Sequence, residues 1–376
     1  MTSSTGHRPT RLEVAPDAIT ANVARLVEMN APAAVCCVVK ADGYGHGAVV
    51  AARAGLAGGA QSLGVALVEE AETLRAAGVE APILVLSEPP FSAWPTVVAL
   101  GLDAMVYSEA AIAAAGDAAA SADSATPVAL HLKVDTGMHR VGCAPDAAVG
   151  LAQSIVDRPE LRLAGLASHF ATADDTTSLF PAVQLERFRS VDEALREAGI
   201  DGYVRHIANS AGAIALPASR FEMVRCGIAC YGIAPSEPLA TRMQFDRAGR
   251  LVSAVTLVKR LEAGEPVSYG CRYVTTRATN IVTVPIGYAD GVPRSTGAND
   301  GMVLIGGLRF PVVGTVTMDQ LMVDVGDVEV SVGDEVVLVG EQGTDAIAAN
   351  EVAAREGTIG YEIVSRIGPR VPRVLV

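Results

Sequence analysis

The sequence predicts an α/β protein, with an N-terminal (β/α)8 barrel over residues 1–245 and a mostly-β domain over residues 246–376. Three observations carry that prediction. Short apolar runs recur along the first ~245 residues, most of them uninterrupted by charge. Ala-rich stretches with helical spacing lie between several of them. From about residue 246 the helical period gives way to β-branched runs punctuated by glycine. Apolar strands alternating with helices imply parallel strands covered on their outer faces.

The candidate strands, in order, are "VCCVVKA" (35–41), "SLGVAL" (62–67), "ILVLS" (83–87), "AMVY" (104–107), "VALHLKVD" (128–135), "LAGLASHF" (163–170), "YVRHIANS" (203–210) and "MVRCGI" (223–228). Helical patterns occupy "GAVVAARAGLA" (47–57), "EEAETLRAAG" (69–78) and "QLERFRSVDEALREAG" (184–199). Eight such strands close naturally into a barrel. The alternative, an open doubly wound sheet, usually shows GxGxxG after its first strand; "GYGHG" has the spacing GxGxG instead. Beyond 246, runs such as "LVSAVTLVKRL", "ATNIVTVPIGYA" and "DEVVLVG" read as strands, with one helical pattern at 345–357.

Composition narrows the function. A formal charge of −13 argues against nucleic acid as the main partner, because a phosphate backbone wants clustered Lys and Arg. No apolar stretch approaches the ~18 uncharged residues of a membrane helix, and "MTSSTGHRPTRLEV" has no basic-then-apolar leader pattern. A soluble, cytoplasmic protein without a membrane partner is expected. Cys36, Cys37, Cys143, Cys226, Cys230 and Cys271 show no paired CxxC, so reduced thiols are expected rather than a metal site.

Barrel enzymes work at the C-terminal ends of their strands. The polar residues there are Lys40, Lys133, Asp135, Arg140, His169, Asn209, Ser210 and Arg225. Taken singly each has a bland reading: a solvated lysine, an N-capping Asn or Ser, a packing histidine. Taken together they converge on one mouth. "RCGIACYG" (225–232) adds Gly227 and Ile228, whose backbone N–H groups could open a short helix where barrels often bind phosphate. A phosphate cradle beside a strand-end lysine suggests pyridoxal phosphate (PLP), with an arginine at its ring nitrogen.

The motif "VVKADGYGHG" resembles the PLP-lysine motif of bacterial alanine racemases. "LKVDTGMHRVG", "SHFATAD", "HIANSAG", "MVRCGIACYG", "VSYG", "VPIGYADG", "MDQ" and "YEIVSRIGPRVPR" follow in that family's order over nearly the whole chain. The resemblance implies racemisation of alanine by two bases, Lys40, which would also carry PLP, and Tyr269. Arg225 would face the pyridine nitrogen, and Arg140 the cofactor's phenolate oxygen and the substrate carboxylate. His169 would bridge Arg225 and Tyr269. Tyr44, Asn209, Ser210, Gly227, Ile228 and Tyr361 would surround the cofactor, most of them at its phosphate. Lys133 matches a lysine carried as a carbamate in many relatives, and Tyr288, Met318 and Asp319 would line the amino-acid site and its entrance. The resemblance also implies a homodimer with shared sites, Tyr269 coming from the partner. Two departures stand out: "LEVAPDAITANV" replaces a more acidic opening, and Thr317 stands where Cys or Ser is expected.

Rival readings remain at this stage. A racemase of broader specificity would differ only in pocket size. A barrel decarboxylase should place an acid where Arg225 stands. A non-enzymatic PLP carrier would not need the additional ~130 residues that hold Tyr269. A metal-dependent hydrolase could draw on His131, His139, His169 and His206, although no HxH pair ends the first strand.

Overall fold

The computed structural model describes residues 7–122 and 126–376. The first six residues, part of the stretch read above for a leader pattern, lie outside the described residues. The chain resolves into two compact units.

One unit comprises residues 19–43 and 48–246. Its strands are β2 (Ala34–Val38), β3 (Ser62–Val65), β4 (Ile83–Val85), β5 (Asp103–Val106), β6 (Val128–Lys133), β7 (Leu161–Ala167), β8 (Val204–His206) and β9 (Met223–Cys226). All eight expected strands are present, and all their pairings are parallel, in the order β8-β7-β6-β5-β4-β3-β2-β9. The ring closes next to β8, where the Arg225 N–H donates to Ala208 O at 3.0 Å. Helices over Ala48–Ala57, Val68–Ala76 and Phe180–Glu197 fall where the periodicity predicts them. Cys36, Leu84, Met105, Ala167 and Met223 form a buried cluster drawn from five of the strands, the side-chain filling expected of a small barrel.

The strands are shorter than their apolar runs suggest. Lys40, His169, Asn209 and Ser210 lie beyond the last strand residues, in the loops that follow, whereas Lys133 and Arg225 are strand residues. An apolar run does not distinguish a strand residue from one just past the strand that stays buried, as Val39 does.

The other unit comprises residues 247–376 together with 1–18 and 44–47. An additional strand, β1 (Arg11–Val14), lies between β10 (Gly249–Ala254), antiparallel, and β20 (Arg373–Leu375), parallel. Four residues with only Leu12 and Val14 buried give little sequence signal. The remaining strands are β11 (Leu257–Leu261), β12 (Pro266–Val267), β13 (Tyr273–Val274), β14 (Thr279–Val284), β15 (Met302–Ile305), β16 (Leu308–Val313), β17 (Leu321–Gly326), β18 (Glu335–Gln342) and β19 (Asp345–Ile347). The main sheet runs β11-β14-β17-β16-β15-β18-β10-β1-β20, with β19 on β18. Val252, Leu304, Val337 and Ile347 pack together beneath it. Helix Ala349–Glu356 falls within the 345–357 segment where one is predicted; a second, Gly360–Ser365, follows beyond it and is too short to show a period.

Candidate active site

At the end of β2 the chain turns sharply. Ala41, Asp42 and Gly43 all have left-handed backbone angles, and Tyr44 has φ +51°. Such angles cost a residue with a Cβ roughly 1–2 kcal/mol, so local hydrogen bonds must hold them. Gly43 N–H donates to Val39 O (2.8 Å), Ala41 N–H to Glu70 Oε1 (2.6 Å) and Ala48 N–H to Asp42 Oδ1 (2.8 Å). A Cβ on Gly43 would meet Ala51 Cβ at 2.9 Å. The turn fixes the half-buried Lys40 at the rim. Burial, and then the charge of Arg140, push its amine below the ordinary lysine range, with Glu70 opposing.

Lys133 ends β6 and is buried. Burial lowers its amine to about 7, helped by Arg225, Arg140 and Lys40. Arg140 itself is exposed on the following loop. That loop is closed by Asp135, whose Oδ1 accepts from the N–H groups of Gly137 and His139, and by Cys143, paired back to Lys133 and Asp135.

Arg225 is buried in β9, and burial pushes its guanidinium down to about 10, still a cation at neutral pH. One terminal nitrogen, NH1, donates to Nδ1 (2.7 Å) and O (2.9 Å) of His206. The other, NH2, donates to Ser168 O (2.7 Å) and His169 Nδ1 (3.1 Å). An arginine can only donate. His169 Nδ1 therefore accepts, which leaves Nε2 carrying the proton of the neutral ring. Burial and Arg225 hold the His169 pKa well below its usual value, so the ring stays neutral.

Ser210 is buried, and its Oγ accepts from Gly227 N–H at 2.9 Å, tying the loop after β8 to the turn at Ile228–Tyr231. Asn209 is the N-cap of helix Ser210–Ala215: its Oδ1 accepts from Gly212 N–H at 3.0 Å. Lys40, Lys133, Arg140, His169, Asn209, Ser210, Arg225, Gly227 and Ile228 all belong to the barrel unit. The four histidines raised as metal ligands are divided. His131 bonds His206, His169 bonds Arg225, and the exposed His139 lies 3.1 Å from Asp135. Among the described residues no three His, Cys, Asp or Glu are gathered to hold a metal ion.

The other expected residues belong to the second unit. The rings of Tyr44 and Tyr361 lie 6.2 Å apart, tilted by 52°. Tyr269 is 72% exposed, in a turn bracketed by the positive φ of Ser268 and Cys271. Its carbonyl accepts from Thr315 Oγ1 at 2.9 Å. Close by in the chain, Tyr288 N–H donates to Thr317 O and Ala289 N–H to Met318 O. Adjoining loops thus carry Tyr269, Tyr288, Met318 and Asp319, the last paired with Arg370 at 2.7 Å. Thr317, the departure noted above, bonds Gln320 through both its hydroxyl oxygen and hydrogen, so its polarity is spent on the turn.

Two contributors were missed. Glu70 accepts from Ala41, Ala66 and Leu67 N–H groups; an acid in the first turn of a predicted helix was the available signal. His206 holds Arg225, a role the sequence did not show: there it enters only as a metal ligand of a rival reading.

Comparison with known proteins agrees along the whole chain. Family models described as the alanine racemase N-terminal and C-terminal domains match residues 14–235 and 248–375. The alanine racemase of Symbiobacterium thermophilum is 43% identical, covering 98% of this chain and 97% of its own. That of Thermobifida fusca is 44% identical, covering 95% and 96%. Among solved structures, the alanine racemase of a D-cycloserine-producing Streptomyces lavendulae superposes with a TM-score of 0.95 at 38% identity, covering 99% and 98%. That of Bacillus anthracis, solved with bound L-Ala-P, gives 0.92 at 36%, covering 99% and 96%.

Proposed function

Because this chain belongs to the alanine racemase family, we propose that it interconverts L- and D-alanine with PLP, using Lys40 and Tyr269 as its two bases. The observation that carries the reading is the half-buried Lys40, its amine depressed by burial and Arg140, in the same unit as the buried Arg225.

The residues present fit PLP. Four cations (Lys40, Lys133, Arg140, Arg225) influence one another electrostatically, which an anionic phosphate and phenolate would relieve. Ser210 and the Gly227–Ile228 backbone offer phosphate donors, with Tyr44 and Tyr361 assigned to the same group and Asn209 beside it as the cap. When bound, PLP supplies an electron-withdrawing ring beside the carbon that loses its proton.

The protein's own part is proton management. Exchange at one carbon from two faces wants two groups, since one base cannot easily reach both. Free lysine and tyrosine, with pKa near 10.4 and 10, are poor bases at neutral pH. The lowered pKa of Lys40 raises its neutral fraction, which improves it as a base. Tyr269 of the partner subunit would face it, and the His169 Nε2–H would donate to the phenolate and favour that form. Arg140 would bind the substrate carboxylate; Tyr288, Met318 and Asp319 would line its approach. We read Tyr269's exposure on its own chain as the mark of a homodimer whose residues 246–376 complete the partner's site. The near-neutral pKa of Lys133 supports addition of CO2 to its amine, with loss of a proton, giving a carbamate anion among the cations. Among the described residues no helix is long and apolar enough to cross a membrane. All six cysteines are free thiols, which supports a cytoplasmic setting.

The test is L-alanine with the PLP-loaded protein in deuterated water. D-alanine should appear with α-deuteration, and serine, lysine and arginine should react more slowly by at least about tenfold, a discrimination a small pocket supplies. Equal rates on those substrates would favour the broader racemase, and no D-alanine would refute the proposal.

Arg225 gives a second test. A cation at the ring nitrogen cannot accept a proton from it and so limits how far negative charge spreads into the ring. Arg225→Glu should release more pyruvate per racemisation event by at least about tenfold, the low end of what one charged contact is worth. Unchanged pyruvate would remove this role.

A further inference from the structure

A line of buried polar side chains crosses the barrel interior behind Arg225, and the activity does not account for it. His206, at the end of β8, is fully buried; His131, in the middle of β6, is 4% exposed. Their rings meet edge to face with His131 Nδ1 2.8 Å from His206 Nε2. Buried polar groups in an apolar barrel are costly unless satisfied, and these could have been leucines.

The backbone is cut to admit them. Gly165 pairs with His131 in the β6–β7 register. A Cβ built on Gly165 would lie 2.1 Å from His131 Nδ1, the atom that meets His206. Only a hydrogen fits there. The absent side chain at Gly165 thus makes the room that the His131 ring occupies where it meets His206.

Proton bookkeeping gives the line a direction. Arg225 donates, so His206 Nδ1 accepts. His206 is held neutral by burial and by Arg225, so its proton resides on Nε2 and is donated to His131 Nδ1. His131 must then carry its own proton on Nε2. That atom is buried and has no hydrogen-bond partner among the described residues, and the carboxylate of Asp103 lies 3.6 Å from it. Asp103 is the first residue of β5, at the end of the barrel strands opposite the catalytic mouth, and its side chain is one-third exposed. Every donor along the line points away from Arg225 towards an anion.

We infer that Asp103 and His131 are positioning residues, which fix the tautomer of His206 and through it the orientation of the Arg225 guanidinium. Without an acceptor at His131, the His206 proton can move to Nδ1, where it would oppose the Arg225 donor. The guanidinium would then turn, and its second arm holds His169. The inference rests on the assignment of Arg225 and His169 to the racemase site, but its first observable does not depend on that assignment.

The experiment uses the PLP-loaded protein with 15N-labelled histidine. In the wild type, His206 should show a protonated Nε2 and a bare Nδ1, and His131 the same. The opposite tautomer at His206 overturns the inference whatever the activity. His131→Leu removes the acceptor; His131→Asn places an amide oxygen near the former Nδ1. The leucine variant should lose about tenfold to a hundredfold in kcat in both directions, as outer partners of functional groups commonly do, with KM within about twofold and mixed tautomers at His206. The asparagine variant should recover most of the rate and the single tautomer. Equal losses in the two variants would mean that the ring only fills space, and would overturn the inference. Asp103→Asn, at a part-exposed site that tolerates the change, should give a smaller loss of kcat and move the His131 Nε2 resonance; no movement removes Asp103 from the line. Should wild-type protein show the expected tautomers but no racemisation, the site assignment fails and the line stands.

Discussion

Lys40→Ala should abolish racemisation in both directions, by at least about 10⁴-fold, because on the proposed assignment one change would remove both a proton-transfer group and the covalent anchor of the cofactor. The physical basis is the turn after β2. Three consecutive left-handed residues, held by hydrogen bonds with Val39, Glu70 and Ala48, present the amine at the rim. Burial and Arg140 keep that amine below the usual lysine range. Borohydride followed by mass spectrometry separates loss of chemistry from loss of fold: the wild type should retain the mass of reduced PLP at Lys40, and the variant should not. Added methylamine should restore part of the rate to a correctly folded variant. Activity of Lys40→Ala within tenfold of wild type would refute the assignment.

Tyr269→Phe has the next largest expected effect, and its form is more informative than its size. The equilibrium constant of a racemisation is one, so kcat/KM must fall equally in the two directions, by about 10²–10⁴-fold for loss of one acid–base group. Proton exchange without inversion is not bound by that equality. One enantiomer should therefore keep exchanging its α-proton with deuterated water at the Lys40 face, while the other loses exchange along with racemisation. NMR of the α-proton with each enantiomer supplied separately measures this. Equal persistence of exchange in both enantiomers, or full racemisation, would remove Tyr269 as the second base. The substitution leaves the core untouched, since the side chain is mostly exposed on its own chain.

Much of this was readable before any coordinates. The eight barrel strands appear as apolar runs because both faces of a parallel sheet are covered, and such runs survive without an alternating pattern to mark them. Lys40, Lys133 and Arg225 stand out because charge at the end of an apolar run is conspicuous. What stayed hidden lacks local signal. β1 is four residues long and earns its place only by lying between two strands some 235 and 360 positions further on. Whether Asn209 caps a helix or meets a ligand depends on where its oxygen points, and the structure shows it accepting from Gly212. In sequence His206 and His131 offer only a rival metal-ligand reading; their shared bond, and the missing side chain at Gly165, single them out for another role. Thr317 seemed a change of pocket polarity and instead bonds its own turn.

The position of β1 bears on how the protein is made. Ribosomes extend a chain at roughly 5–20 residues per second, and 234 residues separate Val14 from Gly249, the start of its antiparallel neighbour. The strand therefore waits about 10–50 s after its own synthesis before that neighbour exists, while the intervening barrel can already close. Its parallel neighbour, Arg373–Leu375, emerges later still. Completion of that sheet therefore trails the barrel, and until then β1 is an unpaired ribbon for other cellular components to find first.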